Sequence, residues 1–120
     1  MIVDDNPMDQ LITEYIVKLK HEKGNIIVMT SAHEALSYLD THLNTPEALP
    51  FIILLDLDMP VMNGFGFLER FKEYADVVKH NCKIVVVTAS EAQADLEKMK
   101  ADPHVTKLVP KPLSRHSLVF

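Results

Sequence analysis

The sequence has little of three things that would each indicate a different class of protein. It contains one cysteine, Cys82, which excludes an intramolecular disulfide and is consistent with a reducing compartment. Acidic residues outnumber basic ones, 17 to 12, without a basic stripe, so we do not expect nucleic acid binding. No apolar run approaches the roughly 20 residues of a membrane-spanning helix, and since no charged-then-apolar leader is visible we expect no signal peptide. These absences predict a cytoplasmic protein outside the membrane.

The length of 120 residues and an apolar content of 48% predict one domain, residues 1–120, with a substantial core. Apolar runs typical of buried strands alternate with amphipathic stretches typical of helices along the whole chain. This alternation predicts an α/β fold, with a parallel sheet and helices on both of its faces. The predicted elements at both ends are short, three residues of strand and a helix over 114–120, which is consistent either with a chain trimmed at both ends or with one that depends on neighbouring contacts.

Capping residues and breakers predict the element boundaries. Asn6 before Pro7 predicts the start of the first helix, and Ser31 with Glu34 predicts a capping box at the second. The first helix carries one apolar stripe: Met8, Leu11, Ile12, Tyr15, Ile16 and Leu19. The later strands are predicted at 26–29, 51–55, 83–87 and 105–109, and the later helices at about 67–75 and 91–101. The weak apolar stripe of the 91–101 helix predicts marginal packing and freedom to shift.

Polar side chains follow the apolar runs at the points where the predicted strands end. Asp4 and Asp5 follow the first run, Asp56 follows the third, Thr88 the fourth and Lys111 the fifth. In an open parallel sheet the carboxyl ends of the strands line one edge, where ligands bind. We therefore expect three carboxylates, a hydroxyl and an ammonium to converge on one crevice.

This set of side chains suits a divalent cation and a phosphoryl group. Clustered carboxylates repel one another unless a cation lies among them, and Mg²⁺ prefers oxygen ligands. We expect Asp5 and Asp56 to be direct ligands and Asp4 to act through water. Asp56 is also the candidate nucleophile toward phosphorus, because a carboxylate can form an acyl phosphate. Lys111 would neutralise phosphoryl charge and Thr88 would donate a hydrogen bond.

These residues, taken together, resemble the response-regulator receiver domains of two-component signalling, and the resemblance covers essentially the whole chain. The motifs that carry it are Ile2-Val3-Asp4-Asp5-Asn6-Pro7, Leu54-Leu55-Asp56-Leu57-Asp58-Met59-Pro60-Val61-Met62-Asn63-Gly64, Val87-Thr88-Ala89-Ser90 and Lys111-Pro112. The resemblance implies a flavodoxin-like, doubly wound sheet of five parallel strands in the order 2-1-3-4-5. It also implies a cis Lys111-Pro112 bond.

The resemblance further implies a function. Asp56 would take a phosphoryl group from a histidine kinase or phosphotransfer protein, with Thr88 and Lys111 binding the phosphoryl oxygens. The domain would catalyse its own phosphorylation and dephosphorylation rather than turn over an external substrate. It would signal to an output partner that the sequence does not name. The implied Mg²⁺ ligands are Asp5, Asp56 and the backbone carbonyl of Asp58, with Asp4 acting through water.

One position departs from the family pattern. Receiver domains usually carry an aromatic residue three positions before the lysine, and it rotates inward when the threonine shifts toward the phosphate. Here that position is Leu108. The departure leaves the phosphorylation chemistry intact and puts the mode of signal readout in question.

Two alternatives stay open. Asp56-Leu57-Asp58 after an apolar strand also matches the nucleophile motif of haloacid-dehalogenase-type phosphatases, although Asp4 and Asp5 precede it and Pro60 stands where a threonine or valine is expected. The other alternative is a degenerate receiver that only binds partners. Steady phosphatase turnover would identify the first, and failure to label with acetyl phosphate would identify the second.

Overall fold

The fold is described by a computed structural model that covers residues 1–20 and 24–117. Five strands form one parallel sheet in the order β2-β1-β3-β4-β5, which confirms the predicted doubly wound, flavodoxin-like topology. The strands are β1 (Ile2–Val3), β2 (Val28–Met29), β3 (Ile52–Asp56), β4 (Lys83–Thr88) and β5 (Val105–Pro110). The helices are α1 (Pro7–Lys20), α2 (Ala32–Thr41), α3 (Gly64–Phe71), α4 (Asp76–Asn81) and α5 (Gln93–Ala101), with a 3-10 turn at Pro46–Ala48.

Helices cover both faces of the sheet, as predicted, because alternate residues of each strand point to opposite sides. On one face, strand residues such as Ile53 and Ile84 pack with buried residues of α2, α3, α4 and α5, including Phe67. On the other face, strand residues such as Leu54 pack against Ile16 of α1. The first core is the larger of the two, and it includes the only cysteine, Cys82, as a buried thiol.

The predicted helix starts are present with one change. The Asn6 side chain accepts hydrogen bonds from two N–H groups in the first turn of α1, at 2.9 and 3.1 Å, which confirms it as the cap. The Ser31 hydroxyl accepts a bond from the Glu34 N–H at 3.1 Å, the first half of the predicted capping box. The Glu34 carboxylate instead accepts a bond from the Thr30 hydroxyl at 3.1 Å.

The apolar stripe of α1 does not form the buried face of the helix. Thr13 and Ile16 are the buried residues of α1, whereas Met8, Leu11 and Tyr15 are each more than 60% exposed. Ile16 belongs to the predicted stripe and Thr13 does not, so the buried side of α1 includes one residue of the stripe. The periodicity was therefore sufficient to predict the helix but wrong as a guide to its buried side.

The region after α3 differs from the prediction of one helix extending to residue 75. The helix ends at Phe71, because Tyr74 folds back onto α2 and donates a hydrogen bond to Asp40 at 2.7 Å. The backbone of Ala75 is then extended, with φ −61° and ψ 154°, and a separate helix, α4, follows. This extra helix leads directly into β4.

Two smaller predictions also need correction. The second strand is limited to Val28 and Met29, because β1 offers two partner residues, rather than spanning 26–29. The helix predicted over 114–120 does not form in its described part, where residues 115–117 make a turn, and residues 118–120 lie outside the described ranges. Within those ranges no helix has both the length and the apolar character needed to cross a bilayer.

Candidate functional site

Three strands end side by side and carry the predicted polar residues to one edge of the sheet. Asp56 pairs with Val87 across the β3–β4 ladder, so Thr88 extends one residue beyond it. Asp4 directly follows β1, whose last residue pairs with Leu55. Because parallel strands advance in step, the consecutive strand ends place Asp4, Asp56 and Thr88 at the same edge of the sheet.

The carboxylates of Asp4, Asp5 and Asp56 form one cluster. An oxygen of each lies within 4.8 Å of an oxygen of the other two. Asp4 and Asp56 are buried, each 4% exposed, and Asp5 faces solvent. Hard carboxylate oxygens in a partly open site are the donors that Mg²⁺ selects, since this ion retains several waters. The donor set therefore fits the cation that the sequence predicted.

Lys111 supplies the positive charge of the site. Its Nζ lies 2.8 Å from Oδ2 of Asp9, 3.1 Å from Oδ2 of Asp4 and 3.4 Å from Oδ1 of Asp56. Its backbone N–H donates to the Thr88 carbonyl at 2.8 Å, which fixes the start of the loop after β5. The peptide bond that follows Lys111 is cis, as the resemblance implied.

Sequence reasoning did not select Asp9, which makes the shortest contact with Lys111. A signal was available in the topology. The first turn of α1 begins at the same edge of the sheet where β1 ends, so side chains of that turn face the strand ends. An acidic residue there was therefore a candidate for the site.

The electrostatics of the site favour a basic Asp56 and a charged Lys111. Burial, and then the neighbouring Asp4 carboxylate, raise the pKa of Asp56 from 3.8 to about 6, against the opposing effect of Lys111. Burial lowers the pKa of Lys111, but hydrogen bonds to Asp9 and Asp4 and the nearby Asp56 charge outweigh it, so that its pKa rises above the ordinary value. At neutral pH Asp56 is thus an ionised carboxylate of unusual basicity.

Thr88 connects the site to α5. It is 2% exposed, and its hydroxyl accepts a hydrogen bond from the Ser90 N–H at 2.9 Å. The Ser90 hydroxyl in turn donates to Asp95, in the first turn of α5, at 3.4 Å. Met99 is the buried residue of α5, which agrees with the weak packing predicted for this helix. A displacement of Thr88 can therefore be transmitted through Ser90 to α5, a helix with little buried surface.

The loop after Asp56 is shaped by two backbone features. A Cβ on Gly64 would lie 3.0 Å from the Asp56 carbonyl oxygen, so this close approach favours glycine. Val61 has φ 69° and is 96% exposed, a strained conformation for a β-branched residue. Asp58, whose carbonyl was an expected metal ligand, is exposed in this loop, and its N–H points to Oδ1 of Asp56 at 3.4 Å.

Comparison with known proteins adds an independent result. The sequence model of the response regulator receiver domain matches residues 1–119. A heme response regulator of Staphylococcus saprophyticus is 35% identical over 111 residues, which are 89% of this chain and 43% of that protein. This chain thus spans less than half the length of that relative.

Solved structures agree with the sequence match. The crystal structure of a two-component response regulator from Cytophaga hutchinsonii aligns with a TM-score of 0.86 and 26% identity, over 98% of this chain and 87% of that chain. A response regulator receiver protein from Dyadobacter fermentans aligns with a TM-score of 0.77 and 29% identity, over 94% and 85%. The structural similarity thus covers nearly the whole chain.

Proposed function

This chain belongs to the response regulator receiver domain family of two-component signalling, and we propose that it accepts a phosphoryl group on Asp56. The donor is a phosphohistidine on a histidine kinase or phosphotransfer protein. An Asp56 carboxylate oxygen forms the bond to phosphorus, while the phosphorus–nitrogen bond breaks and its electron pair stays with the departing imidazole. Residues 1–120 are then one receiver domain. Phosphorylation changes its conformation, and an output partner binds the changed surface.

The observation that carries this proposal is the environment of Asp56. The carboxylate is buried at a strand end, its pKa is raised to about 6, and an ammonium lies 3.4 Å away. A more basic carboxylate is a better nucleophile, and at neutral pH it is still mostly ionised. Lys111 pairs with the charge that arrives on the phosphoryl oxygens, and the Thr88 hydroxyl can donate to one of them.

The residues that would hold Mg²⁺ are the carboxylates of Asp5 and Asp56 and the backbone carbonyl of Asp58, with Asp4 acting through water. Bound there, the ion supplies charge neutralisation for the phosphoryl oxygens. The side chains of this chain have the remaining roles. They hold the Asp56 carboxylate at the end of β3, place the Lys111 ammonium beside it and exclude water from the buried side of the site.

Beryllofluoride, a phosphoryl mimic, and acetyl phosphate test the acceptor. With Mg²⁺, the wild-type protein should bind beryllofluoride and gain one phosphoryl group from acetyl phosphate, measured by intact mass. Asp56→Asn should do neither, and Asp76→Asn, a change of the same kind at an exposed acid of α4, should do both. Labelling that persists in Asp56→Asn, on a residue that is not a neighbouring acid, would refute the assignment.

The same experiment addresses the alternatives. The phosphatase alternative has no support from the family match, and it requires continuous phosphate release from an external ester, whereas a receiver is labelled once per molecule. A degenerate receiver would fail to label at all. The cytoplasmic location stays a prediction.

A further inference from the structure

Lys111 is shared among three carboxylates, and the closest of them has no role in the proposed phosphoryl transfer. The Nζ of Lys111 lies 2.8 Å from Asp9, 3.1 Å from Asp4 and 3.4 Å from Asp56. The first two contacts are hydrogen bonds. An ammonium has three donors, and Asp9 and Asp4 take two of them, so one donor remains for a phosphoryl group on Asp56 and a second becomes available only if one of these bonds is given up.

Asp9 is the partner most easily given up. Asp4 is buried, with 5% of its side chain exposed, and its other oxygen accepts a bond from the Asn6 N–H at 3.0 Å. The Asp9 side chain is 33% exposed, so water can replace the lysine there. The backbone of Asp9 is nevertheless fixed, because its N–H donates to the cap residue Asn6 at 3.1 Å. The carboxylate is thus held at the rim of the site by the first turn of α1.

We propose that Asp9 is a positioning residue that holds Lys111 in the unphosphorylated protein and competes with the phosphoryl group for it. The inference rests on the proposed function, since it concerns how tightly the phosphorylated state is held. While the Lys111 ammonium is bonded to Asp9, it partly neutralises the carboxylates of the acceptor site without being bound to a phosphoryl group. When a phosphoryl group arrives, Lys111 gives up Asp9 to direct a second donor at it, and the loss of the Asp9 contact weakens the phosphorylated state.

The test measures the Kd for beryllofluoride by fluorine NMR, with Mg²⁺ raised until the Kd no longer changes. Asp9→Asn removes the competing charge and should tighten binding by about three- to tenfold, the range expected for a charged contact at a partly exposed site. Asp9→Glu keeps the charge and should stay within about twofold of wild type. Asp76→Asn is the matched control, because Asp76 is also in the first turn of a helix and beside a lysine, Lys79 at 3.5 Å.

A second pair of variants shows whether Asp9 acts through Lys111. In the Lys111→Met background, Asp9→Asn should change the Kd by less than about twofold, because the shared ammonium is gone. An equal gain with and without Lys111 would overturn the inference, and so would an Asp9→Asn protein that binds beryllofluoride no more tightly than wild type. These outcomes differ from failure of the proposed function, in which wild type itself would not bind the mimic and both proposals would fall.

Discussion

Neutralising Asp5 should stabilise the metal-free protein and should do the opposite once Mg²⁺ is present. The three carboxylates of the cluster lie within 4.8 Å of one another. At that separation two unit charges in water repel by about 0.9 kcal/mol, and physiological salt reduces this to about 0.5 kcal/mol. Asp5 faces two such neighbours, so Asp5→Asn should increase the unfolding free energy by about 1 kcal/mol in EDTA.

The assay is urea unfolding at pH 7.5, followed by far-ultraviolet circular dichroism, where Asp56 is largely ionised because its pKa is about 6. Asp5 precedes the cap of α1, so its loss also removes about 0.3–1 kcal/mol of favourable interaction with the helix dipole. Asp76→Asn measures that effect at another helix start, and the gain should be read relative to it. In thermal unfolding, the corresponding rise in Tm relative to that control should be about 3–5 °C for a chain of this size.

Magnesium should reverse the order of stability. Wild type gains stability as Mg²⁺ binds the folded state, by RT ln(1 + [Mg²⁺]/Kd), whereas Asp5→Asn should gain much less because a ligand is missing. The reasoning would be refuted if Asp5→Asn, corrected by the Asp76→Asn control, were no more stable than wild type in EDTA. The ligand role of Asp5 would be refuted if the variant bound Mg²⁺ as tightly as wild type in a calorimetric titration.

Three other outcomes are expected. On beryllofluoride binding, hydrogen exchange should change mainly over 89–101 rather than over 105–109, because Thr88 connects through Ser90 to lightly packed α5 and Leu108 lacks an aromatic ring; a response confined to 105–109 would contradict this path. The second concerns pH without Mg²⁺. Since the pKa of Asp56 is 3.8 ordinarily and about 6 in the fold, the folded state binds this proton more tightly, and stability should fall as pH rises between these values. The unfolding free energy of wild type minus that of Asp56→Asn should therefore decrease from pH 4.5 to 7.5, by on the order of 1–3 kcal/mol, and a constant difference would argue against the shift. Finally, Val61→Gly should raise the unfolding free energy by up to about 1 kcal/mol, because glycine adopts the positive φ of 69° without strain and the valine side chain is 96% exposed; a clear loss of stability would show that the loop does not require this conformation.

The chemistry of the candidate site was predictable because it depends on a rule that links sequence order to space. Apolar runs predict strands, the ends of parallel strands meet at one edge, and a polar residue directly after such a run therefore lies at that edge. Asp4, Asp5, Asp56 and Lys111 follow this rule, and the structure brings their side chains together. Thr88 follows it too, at the end of the adjacent strand.

Packing was less predictable, since periodicity describes a helix without saying which neighbours it has. The stripe of α1 correctly indicates a helix, but its residues Leu11 and Tyr15 are exposed, and the buried residues are Ile16 of the stripe and Thr13 outside it. The break after Phe71 depends on Tyr74 reaching Asp40, which is 34 positions away in the sequence. Contacts of this kind are decided by tertiary structure and leave no local pattern.

The sequence by itself thus determined the parallel α/β sheet and the acidic edge with its lysine, because both follow from local hydrophobicity and from the direction of the strands. Only the tertiary structure decided how the charge of that lysine is divided. Lys111 is 102 residues away from Asp9 and 107 from Asp4, yet it bonds to both. Distances and burial, which set the strength of charge interactions, exist only after the chain has folded.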